Sequence, residues 1–179
     1  MKNKNILFIV LFWYISVWLI GCHTNKKFVL KAENVTHYTL NNGDTIVDKE
    51  LKITPGIVYR TSIDGAGKIY PVQIKKKDSA LIILSVTKNL SNPLPDSGMQ
   101  FKLLIPIPNP IKIKHKKLLI EPSSCLVGYM AFDSRSGYKH PKNATIYLFE
   151  NNNKLMLSVY FKDNLLSMLN GKYQLPVHK

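Results

Sequence analysis

The sequence is short of the residues that most specific chemistry needs. Of its 25 basic residues only Arg60 and Arg135 are arginine; the remainder are lysine. Arginine supplies the planar, bidentate fork that recognises phosphate and carboxylate, so a basic chain nearly without it is poorly equipped for sequence-specific nucleic-acid binding. There are two cysteines, Cys22 and Cys125, and both tryptophans, Trp13 and Trp18, lie near the start. No window of eleven or more residues beyond that start carries a helical apolar period, which argues against a helical bundle or an α/β fold. The five histidines, His23, His37, His115, His140 and His178, include no pair spaced i, i+4, so the helical metal-binding spacing is missing. No G-x-S-x-G elbow occurs. Asp64-Gly65-Ala66-Gly67-Lys68 is glycine-rich, but it has neither the spacing nor the following Ser or Thr of a phosphate loop, and it reads as a turn. Ser123-Ser124 after Pro122 also reads as a turn. The eleven acids show no spacing that pairs two carboxylates. Nothing here points to an enzyme, a cofactor or a metal.

What is present begins with a charge asymmetry and an apolar run. The net charge is +14 over 179 residues, with 45% hydrophobic and 20% charged side chains. That is enough apolar content for one domain with a sizeable core. Lys2 and Lys4 precede Ile6 to Ile20, a stretch with no charge at all. A basic start followed by an apolar run of this length has the form of a secretory signal peptide. It is short of the roughly 20 residues a membrane-spanning helix requires.

The run ends in Leu19-Ile20-Gly21-Cys22, which resembles the lipobox of bacterial lipoproteins. The resemblance covers residues 1–22. It implies cleavage before Cys22, with diacylation of its sulfur and acylation of the new amine. His23 stands where an aspartate would imply inner-membrane retention, so the resemblance implies the outer membrane. One acyl chain anchors poorly, while two or three hold firmly. With Cys22 lipidated, Cys125 has no intramolecular partner, and within CLVGYMAF it reads as a buried small hydrophobe. The organisation expected is a signal peptide over 1–21, a polar tether over 22–27 and a single domain over 28–179.

That domain reads as strands. Asn41-Asn42-Gly43-Asp44 and Asp64-Gly65-Ala66-Gly67 are hairpin signals, and Pro55-Gly56 reads as another turn. Ala80–Thr87 has apolar residues on both faces, as a central strand does. Phe101, Leu103 and Ile105 alternate with Gln100 and Lys102. Leu155, Leu157, Val159 and Phe161 alternate with Met156, Ser158 and Tyr160, which predicts that the first set faces the core. Leu165–Leu169 reads as either a strand or one helical turn, and Asn170-Gly171 opens a final edge segment. Frequent strands with turns every 8–12 residues predict an all-β, antiparallel β-sandwich; an up-and-down β-barrel is the alternative. A strand ending in Lys88-Asn89, the Leu118-Leu119-Ile120-Glu121-Pro122 turn, Gly128 and Phe132, and the apolar Ile146-Tyr147-Leu148-Phe149 resemble, over residues 80–150, the immunoglobulin-like or telokin-like sandwich domains of bacterial lipoproteins, and the resemblance implies a sandwich.

Two segments are candidates for recognition. Ile111–Ile120 begins with strict alternation, which places Lys112, Lys114 and Lys116 in a row facing solvent. Such a row guards an edge strand or docks on an acidic partner or membrane surface. The loop Ser134-Arg135-Ser136-Gly137-Tyr138-Lys139-His140-Pro141-Lys142 sets an aromatic among basic groups. The expected function is a non-catalytic binding or assembly module held in the cell envelope by lipid, as part of an envelope or secretion complex; a small-ligand carrier with a β-barrel cavity is the alternative. The partners implied are the membrane, through the anchor, and an envelope protein. No nucleic acid and no specific small molecule follow from the sequence. The lipobox carries its own test. Cys22→Ser is expected to abolish incorporation of a fatty-acid analogue and to release the protein from the membrane fraction, and equal labelling of the serine variant would refute it.

Overall fold

A computed structural model describes residues 26–42, 45–90, 99–113, 117–130 and 137–178. Among these the fold is all-β and antiparallel, with two short 3-10 turns at Pro122–Ser124 and Leu166–Leu169. The strands are β1 (Lys26–Leu30), β2 (Glu33–Asn42), β3 (Thr45–Ile63), β4 (Ile69–Leu90), β5 (Met99–Pro108), β6 (Ile111–Ile113), β7 (Lys117–Ile120), β8 (Leu126–Met130), β9 (Gly137–Lys139), β10 (Ala144–Asn151), β11 (Lys154–Phe161), β12 (Gly171–Leu175) and β13 (Val177–His178). They form a six-stranded sheet in the order β2-β3-β4-β5-β8-β9, a four-stranded sheet β12-β11-β10-β7 and a three-stranded sheet β13-β1-β6.

The core lies between the first two sheets. Leu51, Ile82, Leu84, Phe101, Leu103 and Ile105 of the six-stranded sheet belong to the same buried cluster as Ile146, Leu148, Leu155, Leu157 and Val159 of the four-stranded sheet. Phe28, Leu30, Ile111 and Ile113 of the third sheet and Leu166 and Leu169 of the second 3-10 turn join that cluster. This is a sandwich. The alternation Leu155-Leu157-Val159-Phe161 points inward as the period predicts, with all four buried. Ser158 on the opposite face is buried as well, where Tyr147 and Lys172 flank it in register.

The two sheets are clasped as well as packed. Asn170 accepts the Phe161 backbone N–H on Oδ1 at 2.6 Å and donates from Nδ2 to the Phe161 carbonyl at 3.1 Å. Lys49 of β3 donates to the Asn170 carbonyl at 3.0 Å. Burial lowers the Lys49 pKa below the ordinary lysine value.

Two sequence expectations are corrected. Pro55-Gly56 lies at a register irregularity rather than a turn. Pro55 pairs with Ala80 and Ile57 with Lys75, so β3 continues through Gly56 while β4 bulges opposite it over residues 76–79, which belong to one continuous strand. Proline has no N–H to give the ladder, and Gly56 takes a φ of +75° that glycine adopts without strain, so the chain bends without reversing. Ile111–Ile120 is also not one strand. β6 pairs with β1 in one sheet and β7 pairs with β10 in another. The apolar run Leu118-Leu119-Ile120 therefore follows a change of sheet, and Lys117 at its start lies 3.8 Å from the centre of the Tyr147 ring. Leu165–Leu169 resolves as the 3-10 turn, and β12 after it is the edge of its sheet.

The bulge has a structural consequence. Beyond it, the arm formed by 57–63 and 69–75 turns at Asp64, whose Oδ1 accepts the N–H groups of Ala66 at 2.9 Å and Lys68 at 2.8 Å. Ile69 then pairs with Tyr138 of β9. The strands β4, β5, β8 and β9 thereby close on themselves. Among the described residues the barrel alternative is realised in this local ring, and its inside is filled by Leu81, Leu104 and Leu126, with Ile57, Tyr59, Ile69, Ile83 and Tyr138 packed against them. Strand β4 thus buries Ile82 and Leu84 on one face and Leu81 on the other.

Leu157 is fully buried in the main core and sits between Leu148 and Tyr173 in register. Leu157→Ala is expected to destabilise the protein by about 2–5 kcal/mol, lost transfer energy plus the cavity left behind. Chemical unfolding followed by circular dichroism measures it, and a change under about 0.5 kcal/mol contradicts the burial.

Candidate functional site

The local ring creates a cleft at its open end. Its volume is about 520 Å³, within the range of about 300–1,000 Å³ common to ligand sites. Four elements build it: the hairpin tip Gly67–Ile69, the β8 residues Val127–Tyr129, strand β9, and the segment Asp163–Leu166 after β11. Phe101 of β5 lies at its base, fully buried.

Each wall has a local cause. Gly128 pairs with Tyr138 across β8 and β9, and the Tyr138 ring lies over it so closely that a Cβ there would overlap Cε1 and Cδ1. Glycine is what lets the aromatic ring lie flat against the sheet. Tyr129 stacks at a tilt on Phe101, with ring centres 5.1 Å apart. Asp163 Oδ1 accepts the N–H of Leu165 at 2.8 Å and of Leu166 at 3.3 Å. That turn drives Leu166 into the core and leaves Leu165 half exposed at the rim. Lys68 and Lys139 also line the cleft. The floor is therefore aromatic and aliphatic, and the rim carries two cations and one carboxylate. Burial raises the Tyr138 pKa above the ordinary tyrosine value, so its hydroxyl is neutral at physiological pH.

A polar seam runs beside the ring. Tyr59 donates its hydroxyl to the Ser124 carbonyl at 2.6 Å. Ser124 donates its own hydroxyl to the Glu121 carbonyl at 2.7 Å, inside the 3-10 turn that Ser123-Ser124 was expected to form. His140 Nδ1 lies 2.8 Å from the Cys125 carbonyl oxygen, so this nitrogen carries the proton. Cys125 is free and buried, and burial pushes its thiol pKa up to about 11. A protonated thiol, a hydroxyl spent on a carbonyl and an imidazole spent on a carbonyl do not form a nucleophile and base. The seam holds β3, the Glu121–Cys125 turn and His140 at the end of β9 together. Among the described residues no group of three or more His, Cys, Asp or Glu side chains is placed to hold a metal ion. Among them, too, no helix is long and apolar enough to cross a membrane.

The structure divides the sequence-derived candidates. Of the lysine row, Lys112 is exposed on β6, while Lys114 and Lys116 lie outside the described residues, as does Cys22. Of the aromatic-basic loop, Gly137, Tyr138 and Lys139 form β9 and line the cleft, and Ser134 to Ser136 lie outside the described residues. Lys68, Asp163 and Leu165 were missed as cleft residues. Nothing local marks them: the pairing of Ile69 with Tyr138 brings Lys68 to β9, and the packing of Leu166 into the main core brings Asp163 and Leu165 to the same place. No protein-family model, curated protein or solved structure matches this chain.

The Gly128–Tyr138 contact predicts a coupled pair. Gly128→Ala forces the ring away from the sheet and is expected to cost about 1–3 kcal/mol, as overpacking does. In a Tyr138→Ala background the same change is expected to cost much less, since the obstacle is gone. Equal costs in both backgrounds, read by chemical unfolding, count against the contact.

Proposed function

We propose that this chain is a lipid-anchored lipoprotein of a bacterial outer membrane, acting as a non-catalytic binding module whose cleft takes a segment of an envelope partner. The anchor rests on the lipobox at Leu19-Ile20-Gly21-Cys22. The observation that carries the binding role is the cleft itself: a concave site with an apolar floor of Phe101, Val127 and Leu166, an aromatic wall of Tyr129 and Tyr138, and Lys68 and Lys139 at the rim. Buried aromatic anchors within a polar rim are the usual build of a protein-recognition patch. The two rim lysines favour a partner segment that is apolar with an acidic flank. The ring interior is filled by Leu81, Leu104 and Leu126, which weighs against a carrier with a ligand inside a barrel.

Site-specific photo-crosslinking tests the reading. A photoreactive residue at Leu165, half exposed at the cleft, is compared in intact envelopes with one at Tyr160, equally exposed on β11 and outside the cleft. The expected result is a discrete protein adduct at 165 that is missing at 160. Identical adduct patterns at both positions, or none at 165, overturn the cleft as the binding site.

A further inference from the structure

The three-stranded sheet has an unusual outer face. The register sets Lys27 opposite Lys112 and Val29 opposite His178. Phe28, Leu30, Ile111 and Ile113 point the other way into the core. All four outward side chains are exposed, Val29 at 39%, and Lys31 just past β1 is exposed too. Among the described residues this face therefore carries three lysines, a histidine and a valine, and no acid. Two lysines directly opposite one another repel, so the arrangement is unfavourable for the isolated domain and is relieved by an anionic surface. Glu150, the acid near the start of β1, is already engaged by Lys26.

The face is also next to the anchor. Lys26 opens β1 and is four residues from Cys22. Four extended residues span at most about 14 Å. A lipid on Cys22 therefore holds β1 within reach of the headgroups, and β1 is the central strand of this sheet. We propose that the outer face of the β13-β1-β6 sheet, with Lys27, Lys31 and Lys112, docks on an anionic lipid surface and lays the domain down beside its anchor. The proposal rests on the lipid-anchor reading and adds to it the orientation of the domain. It replaces the row along one strand with a patch that crosses two. Docking by this face leaves the cleft, which shares no residue with it, free for a partner.

Lysines near an anionic membrane gain about fivefold each in partitioning, and the attraction fades beyond a Debye length of about 8–10 Å. The test uses the full chain reconstituted into vesicles of phosphatidylcholine alone, or of phosphatidylcholine mixed with phosphatidylglycerol. Flotation reports the anchor. The rate of amine labelling at each lysine, read by mass spectrometry, reports the face. On the mixed vesicles Lys27, Lys31 and Lys112 are expected to label roughly fivefold more slowly than on phosphatidylcholine, with Lys68 and Lys139 unchanged. The protection is expected to vanish at about 1 M salt, where the screening length is near 3 Å. A chain that floats but labels alike on both vesicles overturns the docking face and leaves the anchor standing. A chain that does not float overturns both. Protection spread evenly over all five lysines also overturns the proposal, because it shows no preferred face.

Discussion

The rest of the molecule depends on β4 being buried from both sides. Ile82, Leu84 and Val86 enter the main core while Leu81 enters the second. Burying a leucine or isoleucine side chain contributes about 1.5–3 kcal/mol, so neither face of this strand is free to turn to solvent. A one-residue slip would exchange the two faces and break both cores at once. The register of the strand is thereby held more firmly than that of a strand with one wet face. Its neighbours β3 and β5 inherit their positions from it.

The second core exists only because β3 and β4 continue past Pro55-Gly56. A true reversal there would leave Leu81, Leu104 and Leu126 on an open face of the sheet. The bulge instead carries the arm over that face, and the pairing of Ile69 with Tyr138 fastens it. The cleft is a by-product of the same closure. Its floor is where the two cores meet, since Phe101 belongs to one and Tyr138 packs on the other. Cleft wall and stability are joined at Gly128, where the missing side chain makes room for the tyrosine ring.

The charge is distributed on a different logic. The cations that matter lie at two separate places, at the cleft rim and on the outer face of the three-stranded sheet. The rim pair stands beside aromatic groups and a carboxylate, a setting for selectivity. The sheet-face lysines stand beside one another with no acid, a setting for attraction to a broad anionic surface. On the proposed anchor at Cys22, the four residues from it to β1 would keep the second place near the membrane. Exposed lysines contribute little to folding, so the cores do not depend on the charges of this face.

Local pattern settled a good deal. Alternation placed Phe101, Leu103, Ile105, Leu155, Leu157, Val159 and Phe161 inward, and apolar residues on both faces marked 80–87 as a central strand. It did so because a strand's side chains have a period of two and one face must leave water. The Leu19-Ile20-Gly21-Cys22 ending and the lysine bias are legible for the same reason, being linear features of the chain. The dipeptide Pro55-Gly56 was not decidable locally, because the same pair serves a turn or a bulge, and only the partner strand determines which. The split of 111–120 between two sheets was hidden for a like reason: alternation reports a face, not which sheet owns it. The cleft lay furthest from view. Lys68 and Leu165 are distant in sequence and unremarkable alone; they meet at Tyr138 because the arm folds back over Leu81, Leu104 and Leu126 and Leu166 packs into the main core. That burial is a property of the packed chain, so it belongs to the tertiary structure alone.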